Sequence, residues 1–507
     1  MLWIALHLPL LSLEAFCSTL PALQQARAVA LLAEHRITAV NPRAAQCGIQ
    51  PGHKRSTALA LVADLVLGQA SAERDAQAAL AVAHAALAFT PAVTFEGPHG
   101  AGPGDTVLLE VQASLRFFGG ATALLQRLRA ALAPLGHHLQ VASAPTALGA
   151  SLLARWRDGC AEGPHSTRLP ALQALLDGAP VGLLACGSEH GQALQGMGLH
   201  TLADLRRLPR AGLARRFGAT LLDELDRAFG RRPDPRHWLQ LPPTFDSRLE
   251  LFARADTTEQ VLQGAEVLLA RLVAWAQAGQ ARVAAFTLLM QHEPQHRDTA
   301  AAATELHIEL AEPAADAAHL QLLLRERLAR CQLLAPTLEL HIRCRHLVHR
   351  AAPNGELFPT RQSHAEGLAR LLERLRARLG DDQVQQLLPV ADHRPDRSTR
   401  AVPARARPSG AMASSPVACA AALPLHRPSW LLPEPLPLPE RQAQPMLDGQ
   451  PLQLLSGPER IEAGWWDGAL TTRDYFIAQT TGGALVWIYC ERLPSSESGW
   501  FLHGRFG

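Results

Sequence analysis

The sequence predicts a mixed α+β protein with several domains. Its 507 residues are more than one ordinary domain needs, and the apolar fraction of 48% is typical of a folded chain. Strand-like and helix-like stretches alternate near the N-terminus and again in the centre, where their order is βαββαβ. A helical segment separates these two regions, and a proline-rich tail of different composition follows them.

The first unit is expected over residues 1–165. The glycine-rich turn GAGPGD precedes its second predicted strand. From the apolar spacing, the predicted strands are Leu2–Leu8, Val107–Gln112 and Leu139–Ala142, and the predicted helices are 21–36, 71–90 and Ala121–Ala133. Strands that alternate with helices in this way indicate one sheet covered by helices.

The second unit is expected to be all-helical and contains the string LQGMGLHTLADLRRLP. Gly196 and Gly198 flank Met197 and permit the positive φ angles of a tight hairpin. Thr201 is then the N-cap of a second helix, and Asp204 completes a capping box. Backbone amides at such a hairpin can hold a phosphate without reading the base. The pattern predicts a DNA-binding helix-hairpin-helix, although a plain helical hairpin with a solvated face has the same spacing.

Arginines are concentrated in and after this hairpin. The net charge of the chain is only +2, so a nucleic-acid site must be a local basic patch. Arginine suits this role because its planar guanidinium contacts phosphate in bidentate fashion. The arginines of this region are Arg206, Arg207, Arg210, Arg215, Arg216, Arg227, Arg231, Arg232 and Arg236. We expect Arg206, Arg207 and Arg210 to contact the DNA backbone.

The third unit has the βαββαβ order of a split βαβ fold, with one open sheet face. Its predicted elements are the strand Arg248–Phe252, the helix Thr258–Ala278, the strands Arg282–Gln291 and Thr304–Leu310, the helix Ala315–Arg330 and the strand Leu338–His346.

The tail changes character twice. Its first part is rich in proline and begins with clustered arginines, which predicts a flexible linker because so little apolar surface can be buried. The last 50 or so residues contain four of the nine tryptophans and the only two tyrosines, which are Trp465, Trp466, Tyr475, Trp487, Tyr489 and Trp500. This composition predicts a small folded module for docking a partner, although the same residues could simply form its core.

Several function classes are not supported by the sequence. The cysteines form no CxxC pair, which argues against a zinc site or a disulfide framework and favours a reducing cytoplasm. The apolar start lacks the basic region of a signal peptide, and no apolar run is long enough to span a membrane. The string GHKRS at 52–56 lacks the glycine spacing of a P-loop. We therefore expect no cofactor and no membrane association.

The order of these units, together with several dispersed strings, resembles the Y-family translesion DNA polymerases of the UmuC/DinB type. The strings are GIQPGH at 48–53, VLLEVQAS at 107–114 and ASAPTALGASLLARW at 142–156. The tail strings GPERIEAGWWDG at 457–468, RDYF at 473–476 and WFLHGRFG at 500–507 resemble the ImuB-type branch of that family. The resemblance implies palm and fingers at 1–165, a thumb at 166–236, a little finger at 245–350, a clamp-motif segment and helix at 351–392, a flexible linker at 393–452 and a docking module at 453–507.

The family's catalytic acids are mostly missing from this chain. Y-family polymerases hold two metal ions with an Asp of the first strand and an adjacent Asp-Glu pair. Those positions correspond to His7, Asp105 and Thr106, and residues 2–13 contain no Asp or Glu at all. Mg²⁺ prefers hard oxygen ligands, so the resemblance implies a palm without a metal site and without catalytic residues.

The positions that hold the nucleotide in the family are also changed. The family's Tyr and Arg that hold the triphosphate correspond to Pro42 and Ala45, and its two lysines correspond to Ala147 and Ser151. The alternative of an active polymerase with displaced acids stays open, as does a general helix-hairpin-helix repair protein.

Residues 354–360, NGELFPT, resemble the peptide by which bacterial proteins bind the sliding clamp. Leu357 and Phe358 fit its two apolar anchors, and Asn354 replaces its usual Gln. An ordinary loop with two apolar residues is the alternative. By resemblance, the C-terminal module binds a RecA-like accessory protein and the α subunit of an error-prone C-family polymerase. The combined expectation is a cytoplasmic, nucleoid-associated DNA-binding scaffold for translesion synthesis in the SOS response to DNA damage, without enzymatic activity.

Overall fold

The computed structural model describes residues 1–96, 103–293, 303–349, 361–380, 382–404, 427–428, 430–492 and 499–506, without the side chains of residues 311 and 361–366. The fold is mixed α+β, as predicted, and has two compact units, Met1–Arg378 and Leu379–Gly507. Among these residues, no helix is both long and apolar enough to cross a membrane.

The N-terminal part of the first unit contains two sheets. Its elements are β1 (Trp3–His7), α1 (Leu11–Cys17), α2 (Ala22–Gln25), β2 (Val29–Ala33), β3 (Arg36–Val40), α3 (Pro42–Gln46), α4 (Arg55–Leu61), β4 (Val66–Gln69), α5 (Ala72–Leu87), β5 (Val93–Phe95), β6 (Thr106–Glu110), α6 (Leu115–Phe118), α7 (Ala121–Leu132), β7 (Gln140–Ala144) and α8 (Ala147–Trp156). The first sheet has the antiparallel order β5-β6-β1-β7 and the second has the order β3-β2-β4.

Strand β1 lies at the centre of the first sheet and is buried on both faces. Ile4 and Leu6 pack with α5 and α7, whereas Trp3 and Ala5 pack with α8 and the helical segment that follows. A strand whose two faces are both covered has an unbroken apolar sequence, and WIALH fits this description. The core therefore fixes the position of His7 at the end of this strand.

The predicted helix over 21–36 is wrong. Only Ala22–Gln25 is helical, and the following residues form the hairpin of β2 and β3. Glu34 and His35 both have positive φ angles and make the tight turn of this hairpin. An alanine- and leucine-rich run suits a helix or a buried strand equally well, and pairing of β2 with both β3 and β4 decides for the strand.

The helical and central parts follow the predicted order. The helices are α9 (Leu169–Leu176), α10 (Ala185–Glu189), α11 (Gly191–Gly196), α12 (Leu202–Arg207), α13 (Arg210–Phe217) and α14 (Ala219–Ala228). The βαββαβ elements are β8 (Phe245–Ala255), α15 (Thr258–Ala278), β9 (Ala281–His292), β10 (Ala303–Ala314), α16 (Ala317–Leu328) and β11 (Thr337–His349), and α17 (Arg361–Leu379) comes after them. Helices α15 and α16 share one core with the sheet, whose order is β10-β9-β11-β8.

The second unit is built from strands. They are β12 (Gln385–Pro389), β13 (Thr399–Pro403), β14 (Trp430–Leu438), β15 (Glu440–Arg441), β16 (Gln444–Leu447), β17 (Gln450–Pro451), β18 (Gln453–Ala463), β19 (Thr471–Gln479), β20 (Leu485–Glu491) and β21 (Trp500–Arg505). The main sheet has the order β14-β21-β20-β19-β18. Buried Tyr475, Trp487 and Tyr489 form part of its core, with the Tyr475 and Trp487 rings stacked 4.0 Å apart.

The flexible linker predicted over 393–452 is corrected for the residues that the structure describes. Residues 430–438 form β14, an edge strand of the sheet, and proline is tolerated there because an edge strand leaves some N–H groups unpaired. Arg394 lies between β12 and β13, where its buried guanidinium binds Asp392 and Asp467. These arginines and prolines therefore belong to the folded module, and composition alone could not show their partners.

Candidate functional site

His7, Asp105 and Thr106 meet at one end of the first sheet. His7 and Thr106 are directly opposite each other in the β1–β6 register, and Asp105 immediately precedes β6. The backbone N–H of Leu8 donates to the carbonyl of Asp105 over 2.8 Å, which extends the pairing by one residue. The structure thus brings together the three positions that correspond to the polymerase acids.

A chain of hydrogen bonds joins these three side chains. The Thr106 hydroxyl donates to Asp105 Oδ1 over 2.9 Å, and His7 Nδ1 lies 3.0 Å from the hydroxyl oxygen. A hydroxyl has a single proton, so His7 Nδ1 must be the donor of the second bond. His7 and Thr106 are buried, whereas 59% of the Asp105 side chain is exposed. The contact with His7, aided by the Thr106 hydroxyl, holds the pKa of Asp105 below its ordinary value.

The other acids near this sheet are engaged elsewhere. Glu96 is adjacent to Thr106 through a backbone bond, but its carboxylate lies 3.4 Å from Arg236, and burial raises its pKa. Glu110 is at the opposite end of β6, where its carboxylate accepts from the backbone N–H of Leu2. Among the described residues, no acid besides Asp105 is therefore available at the end of the sheet that carries His7.

This donor set does not fit the pair of magnesium ions that the fold family implies. Only one carboxylate is present, and its Oδ1 atom already accepts from Thr106. An imidazole and a hydroxyl do not supply the anionic oxygens that Mg²⁺ prefers. Across the described residues, no cluster of three or more His, Cys, Asp and Glu side chains could hold a metal ion.

The positions corresponding to the nucleotide-holding residues offer no cation. Pro42 opens α3, and Ala45 lies in the same short helix. Ala147 and Ser151 are buried in α8, in which every residue from Ala147 to Ala154 is buried. Lysines at these two positions would bury charge in the core.

The predicted capping box is present, but the hairpin amides are already used. Thr201 accepts from the backbone of Asp204, and the Asp204 carboxylate accepts from the N–H groups of His200 and Thr201. Leu202 and Ala203 donate to carbonyls of the preceding segment, at Ala179 and Asp177. Every N–H of the described residues 197–204 has an acceptor within the protein. Phosphate contacts by Gly196, Met197, Gly198 and Thr201 would therefore have to displace internal hydrogen bonds.

The three predicted DNA-binding arginines occupy different environments. Arg206 pairs with Asp177 and stacks on Phe229 with its guanidinium 4.5 Å from the ring centre. Arg210 makes a bidentate pair with Asp226 at 2.9 and 2.5 Å. Arg207 is 79% exposed, and its closest acid is Asp204 at 3.7 Å. Of the three, only Arg207 presents a largely unpaired guanidinium to solvent.

Two further exposed arginines lie in the last turn of α13. Arg215 and Arg216 make no ion pair with any described carboxylate, and Arg216 lies near the ring of Phe217. The sequence shows their abundance but not their exposure, because pairing of the neighbouring arginines depends on acids distant along the chain. Arg207, Arg215 and Arg216 are named the exposed arginine set below.

The open face of the central sheet is not basic. Among its described residues it presents Arg248, Arg254, Arg343 and Arg345 against five acids, so the two signs of charge nearly balance; the acids are Asp246, Glu250, Glu305, Glu309 and Glu339. A face of this charge has no general attraction for phosphate. The clamp-like residues Asn354, Leu357 and Phe358 lie outside the described residues.

Comparisons with known proteins support the predicted resemblance. No family model matches the chain. Protein ImuB from Caulobacter vibrioides strain NA1000/CB15N is 28% identical over 488 residues, covering 91% of this chain and 100% of the relative, and the same values hold for strain CB 15.

Two solved structures are also similar to the chain. They are a Dbh ternary complex, with a TM-score of 0.38, and DinB from Sulfolobus solfataricus, with a TM-score of 0.36. Each is 14% identical and covers 68% of this chain and 98% of its own. The sequence similarity confirms the predicted resemblance, since the chain is similar to protein ImuB over 91% of its length.

Proposed function

We propose that this protein is a non-catalytic DNA-binding scaffold with a polymerase-like fold. The observation that carries the proposal is the hydrogen-bonded chain of His7, Thr106 and Asp105. It occupies the positions at which a Y-family polymerase needs carboxylates for two metal ions, and it supplies only one. A site with this deficit cannot stabilise the charge that develops in phosphoryl transfer.

The DNA contacts of the proposal come from arginine side chains rather than hairpin amides. The exposed arginine set lies in the segment that corresponds to the family's thumb, and each side chain can reach a phosphate without first breaking a strong ion pair. Contacts of this kind position a protein on DNA without reading sequence. The mixed charge of the central sheet gives less support to a DNA contact by the little finger.

The C-terminal module is proposed to dock the other proteins of a damage-induced mutagenesis complex. Tyr475, Trp487 and Tyr489 are core residues and are not available to a partner. Trp465 and Trp466, in contrast, are 77% and 53% exposed and lie side by side between β18 and β19. Exposed tryptophans are typical of interface hot spots. This favours the connection between β18 and β19 as the contact for a RecA-like protein or a polymerase α subunit.

Primer extension by the protein alone tests the proposal. With Mg²⁺ or Mn²⁺ and all four deoxynucleotides, we expect a bound primer to keep its starting length. Extension of the primer would instead favour the alternative, an active polymerase with displaced acids.

The clamp contact is proposed to depend on Leu357 and Phe358. Replacing both by Ala is expected to weaken binding to the bacterial sliding clamp by roughly several hundredfold, since two buried anchors at about 2 kcal/mol each contribute about 4 kcal/mol. Co-precipitation and surface plasmon resonance with purified clamp measure the effect. Glu356→Ala, in the same segment, is the matched control and should bind as the wild type does. Unchanged clamp binding by the double variant would exclude this peptide.

A further inference from the structure

Arg271 of α15 is a buried cation without a carboxylate partner. It lies where α15 packs against α5 and β8, and 5% of the residue is exposed. Its Nη1 atom donates to Gln77 Oε1 over 3.2 Å, Ser247 Oγ over 3.3 Å and the carbonyl of Arg248 over 3.5 Å. Among the described residues, its Nε and Nη2 atoms have no hydrogen-bond partner, and neither atom is fully buried. Most of the guanidinium's donors are therefore not used by the protein itself.

Burial of the Arg271 charge in this arrangement destabilises the fold unless an anion binds beside it. Burial lowers the pKa of Arg271 to about 10, so the side chain still carries its charge at neutral pH. A buried charge normally needs both a counter-charge and hydrogen bonds for its remaining donors. The three acceptors are neutral, and all of them bind Nη1, so neither requirement is fully met. The Arg271 side chain thus lacks the anion that would complete an ion pair.

A cavity of about 740 Å³ lies beside Arg271 and receives a second under-satisfied arginine. Arg74 of α5 lines the same cavity, and its buried Nε atom has no hydrogen-bond partner among the described residues. Gln77 lies one turn further along α5 and also lines the cavity. The first residues of α5 form part of the wall, and a helix N-terminus favours negative charge.

The acids of this cavity are directed mainly to a different arginine. Glu73 contacts Arg248, and Glu339 lies 3.9 Å from it. Burial lowers the pKa of Arg74, and Glu250 only partly opposes this effect and makes no ion pair with Arg74. None of these acids pairs with Arg271. A neighbouring cavity of about 610 Å³ is also lined by Arg271, together with Glu14 and Glu266, but no second arginine is among its described lining residues. The larger cavity is therefore the one suited to negative charge.

We propose that the cavity lined by Arg74, Gln77 and Arg271 binds a phosphate group. The Nε and Nη2 donors of a guanidinium form a planar fork that matches two phosphate oxygens, and this is the edge that Arg271 leaves unused. The phosphate can belong to a polynucleotide strand or to a free small molecule such as a mononucleotide. This site is separate from the exposed arginine set and does not depend on the proposed function.

Thermal denaturation in sodium phosphate and in sodium chloride of equal ionic strength tests the site. We expect phosphate to raise the unfolding midpoint of the first unit, and Arg271→Met to weaken the apparent phosphate affinity at least tenfold. Arg325→Met, on the exposed side of α16, is the matched control and should respond as the wild type does. If Arg271→Met does not fold, Arg74→Gln tests the same cavity at a half-buried residue of α5.

Two further probes separate the sources of the phosphate. They are thymidine monophosphate, measured by the same midpoint shift, and a fluorescent single-stranded oligonucleotide, measured by anisotropy. Weaker binding of all probes by the Arg271 and Arg74 variants supports a strand phosphate. Weaker binding of phosphate and mononucleotide alone supports a small-molecule ligand. The proposal would be overturned if phosphate did not change the unfolding midpoint of the wild type, or if the variants responded to phosphate as the wild type does.

Discussion

Replacing Arg207, Arg215 and Arg216 together by Gln is expected to weaken primer–template binding on the order of a thousandfold. A charge-assisted contact contributes about 1.5 kcal/mol, which is roughly tenfold in affinity for each phosphate lost. The slope of log affinity against log salt should also fall by roughly 2 to 3, since each phosphate contact accounts for about 0.9 of that slope. Fluorescence anisotropy across a salt series measures both quantities.

The control for this experiment is a variant with the same change of charge elsewhere. Arg325, Arg327 and Arg330 lie in and just after α16, and their replacement by Gln should leave the salt slope close to the wild-type value. The loss should be equal for unrelated DNA sequences, because the contacts are to the backbone. If the exposed arginine set can be removed with no change in affinity or slope, the DNA does not lie on this segment.

Replacing Arg394 by Met is expected to lower the unfolding midpoint of the C-terminal unit by several degrees. The guanidinium holds two carboxylates, with Nη2 2.7 Å from Asp392 and 2.6 Å from Asp467, and it also donates to the carbonyl of Ala469. Removal of one partner from such a network leaves the other charges without compensation. Arg397 contacts the same Asp467 at 2.8 Å but is 48% exposed, so Arg397→Met is a matched control with a much smaller expected effect.

The same network predicts a pH dependence with a definite sign. Hydrogen bonds from Arg394 lower the pKa of Asp467 to about 2, against an ordinary value of 3.8. A carboxylate whose pKa is lower in the folded state stabilises that state fully above its ordinary pKa, and the contribution is lost as the pH falls toward the folded value. We expect the wild-type midpoint to fall between about pH 4 and pH 2. The unfolding midpoint of Asp467→Asn should be lower than that of the wild type at neutral pH and should lose this part of the pH dependence. An unchanged pH profile would contradict the assignment of the effect to Asp467.

The sequence predicts local features well where one segment decides them. Helix α15 spans Thr258–Ala278, the bounds predicted from its apolar spacing, and the structure adds a capping box of Thr257 and Gln260 at its start. The apolar run Val29–Ala33 is ambiguous in isolation, and strand pairing with distant residues resolves it. The prolines of β14 resemble a linker by composition, because nothing local shows that β21 lies alongside.

The same distinction applies to the candidate site. His7, Asp105 and Thr106 could be predicted to meet because a family resemblance supplied their positions, and the strand register then brings them together. The pairing of Arg206 with Asp177 and of Arg210 with Asp226 could not be predicted, since each acid comes from a different helix or turn. Separation of exposed from paired arginines therefore required the tertiary structure.

The central claim is that the His7, Thr106 and Asp105 cluster stands in place of the metal-binding carboxylates of a Y-family polymerase and cannot support nucleotide addition. The most direct test is primer extension by the wild-type protein and by Asp105→Ala, in Mg²⁺ and in Mn²⁺, on a primer–template that both proteins bind. We predict no added nucleotide with either protein or either metal. Extension by the wild type that Asp105→Ala abolishes would contradict the claim, because the remaining carboxylate would then be a working metal ligand.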